Sequence, residues 1–99
     1  VVLSEFGRTP RINKNGGRDH WARVFSTIMF GGGVKGGHVI GSSDIDGMGP
    51  EDRPVHVPDI HASVLHALGI NHGQELTTPD GRPMTLVRKG ANPISELFT

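Results

Sequence analysis

Within its first twenty-one residues the chain carries Glu5, Arg8, Arg18, Asp19 and His20 on two short segments, Ser4-Glu5-Phe6-Gly7-Arg8 and Gly16-Gly17-Arg18-Asp19-His20-Trp21. Carboxylate oxygen and imidazole nitrogen are donors that zinc and similar divalent ions accept. A guanidinium can clamp two oxygens of a tetrahedral oxyanion. The chain has no cysteine, so any metal must be held by His, Asp and Glu, and a disulfide frame is excluded. The chemistry these types suit is polarisation of a phosphoryl or sulfuryl oxygen, with a metal-bound oxygen deprotonated near neutral pH. A lone carboxylate–imidazole pair is also the ordinary form of a structural hydrogen bond, and spacing alone leaves both readings open.

Such residues need elements to bring them together. Val1–Leu3 is an apolar stub, expected to be the end of a buried parallel strand with Ser4–Gly7 at its carboxyl end. Val24–Phe30, rich in β-branched and aromatic residues and interrupted only by Ser26 and Thr27, predicts a strand buried on both faces. Charged residues at the ends of such strands are how open α/β sheets build active sites. The intervening Arg8–Gly17 is a loop by its Pro10 and its Asn15-Gly16-Gly17. Arg8, Arg11, Lys14 and Arg18 make it locally basic, either as a solvated charge run or as a lid that attracts an anionic substrate.

Gly31–Gly37 holds five glycines in seven residues, but Lys35 is followed by Gly36 where a phosphate-binding loop needs Ser or Thr. Tight turns with positive φ explain it better. His38–Ile40 is compatible with a short strand. Ser42–Arg53 is turn-rich; its Asp44-Ile45-Asp46-Gly47-Met48-Gly49 lacks the third ligand and the Glu at position twelve of a calcium loop. A helix is predicted over about 58–68, opened by Pro58-Asp59 and stopped by Gly69 in a left-handed conformation. Its apolar arc is Ile60, Val64, Leu65, Ala67 and Leu68. His61 and His66 are not at i, i+4 spacing, so this helix predicts no metal site. Pro79-Asp80-Gly81 marks a turn, Met84–Val87 an edge strand, and Pro93–Phe98 one terminal helical turn.

Ten Lys+Arg balance ten Asp+Glu, which removes the basic footprint expected of nucleic-acid or anionic-membrane binding. No apolar run approaches the ~20 residues of a spanning helix. Apolar residues other than glycine are 34% of the chain, against a typical ~45–50% that also counts glycine, and with 15 Gly and 7 Pro much of the chain is expected to be loop, unusual for a self-sufficient core. The abrupt Val1-Val2-Leu3 start adds to the expectation that residues 1–99 are a partial domain, the C-terminal piece of a larger one.

Ser-Glu-Phe-Gly-Arg-Thr-Pro (4–10), Gly-Gly-Arg-Asp-His-Trp (16–21), Phe-Gly-Gly-Gly-Val-Lys-Gly-Gly (30–37) and Pro-Asp-Ile-His-Ala-Ser-Val-Leu-His-Ala-Leu-Gly-Ile (58–70) resemble an uncharacterised, sulfatase-like domain-of-unknown-function family within the alkaline-phosphatase superfamily. The resemblance spans nearly the whole chain in order. It implies the C-terminal part of a three-layer α/β sandwich, with short strands, Gly-rich loops and the helix at 58–68. It also implies an exported or periplasmic protein. In that superfamily one strand ends in Asp-His-Gly or Asp-Asn-Gly, whose first two residues bind metal. Here Glu5 replaces the aspartate and Phe6 cannot replace the second ligand. His20, before Val24–Phe30, matches a histidine ligand, and Asp19 either substitutes as a ligand or orients the His20 ring. The nucleophile and the remaining ligands come from earlier in such chains.

The leading expectation is therefore a portion of a hydrolase of sulfate or phosphate esters that uses a divalent metal (zinc, calcium or similar) and is inactive as this segment alone. Glu5, His20 and Asp19 would be metal ligands, and Arg8 and Arg18 oxyanion contacts. A second reading is a degenerate, non-catalytic member that binds an anionic polysaccharide or a protein partner. In a third, the same charges only close a sheet edge.

Overall fold

The computed structural model describes residues 1–98. Internal contacts divide the chain into two compact units, Val1–Gly31 with Gly37–Pro54, and Gly32–Gly36 with Val55–Thr99.

The first unit is built on two short antiparallel ladders. Strand β1 (Gly7–Arg8) pairs with β2 (His20–Trp21) in the register Gly7↔Trp21 and Arg8↔His20. Strand β3 (Ser42–Ser43) pairs with β4 (Pro50–Asp52), with the register shifting between Ser42 and Ser43. The Trp21 indole N–H donates to the Met48 carbonyl at 2.8 Å, fastening β2 to the β3–β4 turn. Asp44 shapes that turn: its Oδ1 accepts the Met48 N–H at 2.9 Å and its Oδ2 the Gly49 N–H at 3.1 Å. The carboxylate that would have opened a calcium loop thus serves its own backbone.

The two apolar runs do less than their composition predicts. Val2 and Ile28 exchange a pair of 2.8 Å backbone hydrogen bonds as an isolated antiparallel bridge, not as a parallel strand pair. Val2 is 55% exposed, Leu3 58%, Ile28 58% and Phe30 72%, whereas Val24, Phe25, Thr27 and Met29 are half-buried, so Val24–Phe30 is partly covered on one face and open on the other. A strand enclosed on both sides needs a covering layer on each, and the described residues of this unit cover one side only in part. His38–Ile40 also forms no strand, and Val39 is 86% exposed.

In the second unit, helix α1 runs over Val57–Ala67, with Pro58 in the first turn where its missing N–H costs nothing, and Asp59 beside it. Its C-terminus closes with two crossed bonds, Gly69 N–H to His66 O at 3.0 Å and Ile70 N–H to Leu65 O at 2.9 Å. This pairing satisfies orphan carbonyls and requires a left-handed residue at Gly69, whose φ is 76°. Gly69→Ala is expected to destabilise the chain by about 1 kcal/mol, read as a lower urea midpoint with an unchanged slope.

The buried face of α1 is not its apolar arc. Ala62 and Ser63 are fully enclosed, whereas Leu68 is 68% exposed and Ile60 and Val64 are half-buried. Ala62 packs with Val87, Ala91 and the partly buried Leu65. Asp59 Oδ1 accepts the Asn92 N–H at 3.1 Å, and the Ser63 hydroxyl accepts the Ile94 N–H at 2.8 Å. Small side chains let the 87–94 segment approach closely, and these polar contacts then fix the helix's rotation.

Strand β5 (Glu75–Thr77) pairs antiparallel with β6 (Pro83–Thr85), and a single 3-10 turn at Ser95–Leu97 follows. The β5–β6 hairpin turn is tied by Asp80, which accepts from the Thr78 hydroxyl and, at 3.0 Å, from Arg82 Nε. These bonds, the Thr78 hydroxyl foremost, hold the Asp80 carboxyl below its usual value. A depressed carboxyl supports the fold above its unfolded-state pKa, and that support is lost as pH falls through the lower folded value. The hairpin turn is therefore expected to loosen on acidification below the usual aspartate pKa of about 3.9. Amide shifts of Thr78 and Arg82 would follow this titration, and Asp80→Asn is expected to abolish it.

Candidate functional site

The β1–β2 register makes Arg8 the direct partner of His20. The Phe6 ring lies on the His20 ring with centroids 4.0 Å apart and a 34° tilt, and Arg8 Cζ stands 5.6 Å from the Phe6 centroid. Arg8, Phe6 and His20 thus form a short stack in which the aromatic face meets a cation on one side. Glu5, Arg8 and His20 are all exposed. The Glu5 carboxylate has no hydrogen-bond or ionic partner among the described residues.

Arg18 and Asp19 are placed differently. Arg18 Nη1 donates to the Thr9 carbonyl at 2.8 Å and the Pro10 carbonyl at 2.7 Å, while Arg8 Nη1 donates to the Arg18 carbonyl at 3.3 Å. Asn13 accepts the Asn15 and Gly17 N–H groups on Oδ1 at 2.9 and 3.0 Å, and donates from Nδ2 to Asp19 Oδ1 at 3.0 Å. Thr9 N–H to Asp19 O at 2.9 Å, with Asp19 N–H to the Thr9 hydroxyl at 3.1 Å, continues the β1–β2 ladder outward. In the basic 8–18 segment Arg8 and Arg18 thus bind the loop's own backbone, while Arg11 and Lys14 are exposed charges with no partner among the described residues. Thr9 and Asn13 carry no mark in the composition of the loop. The available signal was an Asn two residues before Asn15-Gly16, which suits a side-chain-mediated turn.

A zinc site takes at least three protein ligands. No group of three His, Asp or Glu side chains converges in that way among the described residues. Glu5, Asp19 and His20 are of the right chemical types, but they do not make a complete metal site by themselves. Asp19 has one carboxylate oxygen engaged by Asn13, whereas Arg18 keeps Nε and Nη2 unused for an anion. What the edge offers directly is parts of two guanidinium groups, an imidazole, the Glu5 carboxylate and one oxygen of Asp19.

In the glycine-rich loop, Gly31, Gly33 and Gly37 have φ of 123°, 84° and 70°, as tight turns require. The Lys35 N–H donates to the Leu97 carbonyl at 2.7 Å and so does not point at a phosphate.

The profile of a family described as "Protein of unknown function (DUF1501)" matches residues 1–98. The chain belongs to this family. The DUF1501 match takes in every element described above, from the β1–β2 edge to the final 3-10 turn. No curated protein and no solved structure matches the chain. No helix among its described residues is long and apolar enough to cross a membrane.

Proposed function

We propose that this DUF1501 chain forms part of a hydrolase of sulfate or phosphate esters with an alkaline-phosphatase/sulfatase-like three-layer sandwich, exported or periplasmic as the motif resemblance implies. The observation that supports it is the β1–β2 pairing, which draws the two motif segments to one edge and sets Arg8 against His20. There Arg8, with the unused nitrogens of Arg18, would contact the ester's non-bridging oxygens and offset negative charge as it develops. Phe6 holds one face of the His20 ring, and His20 itself is exposed. A divalent metal (zinc, calcium or similar) at Glu5 and His20 would need further ligands from outside residues 1–98, as would a nucleophile.

An NMR titration tests this reading. Sulfate is expected to shift the Arg8 and Arg18 side-chain signals and the His20 ring signals together, and Arg8→Ala to weaken the response about tenfold, as loss of one charge-assisted contact should. Zinc should broaden His20 in the parent and much less in Glu5→Ala. If His20 responds to neither ion, the edge is not a site.

A second reading, which needs no complete ligand set, is a degenerate member that binds an anionic polysaccharide or protein partner without turnover through the exposed Arg8. Retention on a sulfated polysaccharide that depends on Arg8, with no release of sulfate or phosphate from aryl esters by the longest natural form of the protein, would select it.

A further inference from the structure

We propose that the second unit carries a separate binding site for a phosphate group, in the concavity between the β5–β6 hairpin and the Arg88–Ala91 turn. This hollow encloses about 270 Å³ and is lined by His72, Glu75, Thr85, Arg88, Lys89 and Gly90 among others. Its size is below the ~300–1,000 Å³ of sites for drug-sized ligands and suits one small oxyanion with its waters. Val87 and Ala91, 7% and 9% exposed, belong to the packed core beneath it, so the hollow rests on a fixed base.

Three features give it its chemistry. Arg88 and Lys89 stand side by side on the rim, and neither has an ionic partner among the described residues. The Ala91 N–H donates to the Arg88 carbonyl at 3.2 Å and Gly90 has a φ of 90°, which makes residues 88–91 a tight turn. Its two central amides, on Lys89 and Gly90, have no hydrogen-bond partner among the described residues, so N–H donors and two cations line the same turn. Successive backbone donors in turns are a recurrent way to hold anions.

His72 Nε2 lies 3.0 Å from the Ala91 carbonyl. A carbonyl only accepts, so Nε2 carries the proton and Nδ1 remains for a ligand or water. Glu75 is the one carboxylate of the lining. Ionised, it can only accept a hydrogen bond. It therefore repels sulfate, which carries no proton at neutral pH, and tolerates a monohydrogen or dihydrogen phosphate, which can donate to it. Two cations against one anion thus give an oxyanion site with a built-in preference for a protonated one.

This assignment does not rest on the hydrolase reading, because it uses none of Glu5, Arg8 or His20. The test is an amide and imidazole NMR titration of the whole chain with inorganic phosphate, sulfate and glycerol phosphate at neutral pH. The expected result is a saturable shift of Lys89, Gly90 and His72 with phosphate, at least about tenfold weaker with sulfate. The combined Arg88→Ala and Lys89→Ala change, both on exposed side chains, should weaken it by more than about tenfold, with the amide spectrum of α1 unchanged. Glu75→Gln should bring the sulfate and phosphate affinities together, and His20→Ala should leave the response in place. Glycerol phosphate binding as well as phosphate would assign a phosphomonoester; phosphate alone would assign the free ion. No saturable shift at Lys89 and Gly90, an unchanged response in the double variant, or selectivity that survives Glu75→Gln would each overturn the assignment.

Discussion

Gly7→Ala is expected to detach β1 from β2 and to lower stability by about 3 kcal/mol. A Cβ at this position would sit 2.2 Å from the Val24 carbonyl oxygen and 3.1 Å from both the Trp21 carbonyl oxygen and Phe25 Cβ. Two of those three neighbours are backbone, so no rotamer change can make room. The segment 21–25 or β1 itself must move, and either movement breaks the Gly7↔Trp21 and Arg8↔His20 pairs. For a chain of this size the loss corresponds to a fall in melting temperature on the order of 15 °C. The Phe6–His20 stack goes with it, so the sulfate response of His20 should vanish in the same variant. Gly16→Ala is the control. Its Cβ meets nothing within 4 Å, so only the strain of a φ of 76° applies, about 1 kcal/mol. A Gly7→Ala melt within about 2 °C of the parent, a few tenths of a kcal/mol on the same scale, would show that the close approach is not what holds this edge.

That glycine shows where sequence reading stops. Ser4–Arg8 and Gly16–Trp21 are recognisable as motifs, and the structure pairs Arg8 of one with His20 of the other. Nothing in residue type says that Gly7 is there for lack of space, since the obstacle is a carbonyl seventeen residues away. Arg18 is similar: a guanidinium reads as an anion contact, yet its Nη1 is engaged by two carbonyls of its own loop. Features set by neighbours in the chain were legible. Pro58, Asp59 and Gly69 mark α1 because caps and φ preferences act within a turn. The Pro79-Asp80-Gly81 turn follows from the same kind of local chemistry. Val24–Phe30 does not form a strand because β-propensity expresses packing against cross-strand and covering neighbours, and among the described residues only Val2 pairs with it, at Ile28.

The helix's orientation is the clearest case of distant partners deciding, and it can be tested at one atom. Ser63→Ala is expected to cost about 2 kcal/mol although it removes a single oxygen. Ser63 is fully buried; its hydroxyl donates to the Asp59 carbonyl at 2.6 Å and accepts the Ile94 N–H at 2.8 Å. Without it, the N–H of Ile94, a residue only 5% exposed, has no partner and no route to water. An orphaned buried donor carries the full desolvation cost, which exceeds the net worth of an ordinary hydrogen bond. The tie joining α1 to the 87–94 segment would then rest on the Asp59–Asn92 bond and on Ala62 packing, and the helix would be freer to turn toward its apolar arc. Urea unfolding gives the stability change, and amide exchange at Ile94 identifies its cause. In Ser63→Ala the Ile94 amide should lose protection ahead of global unfolding. Ser63→Thr separates hydrogen bonding from volume: its added methyl must be taken into a fully buried site and should also destabilise, while its hydroxyl keeps Ile94 protected. If Ser63→Ala leaves Ile94 exchange unchanged, the buried hydroxyl does not set the face of α1, and the close fit of Ala62 against Val87 and Ala91 does.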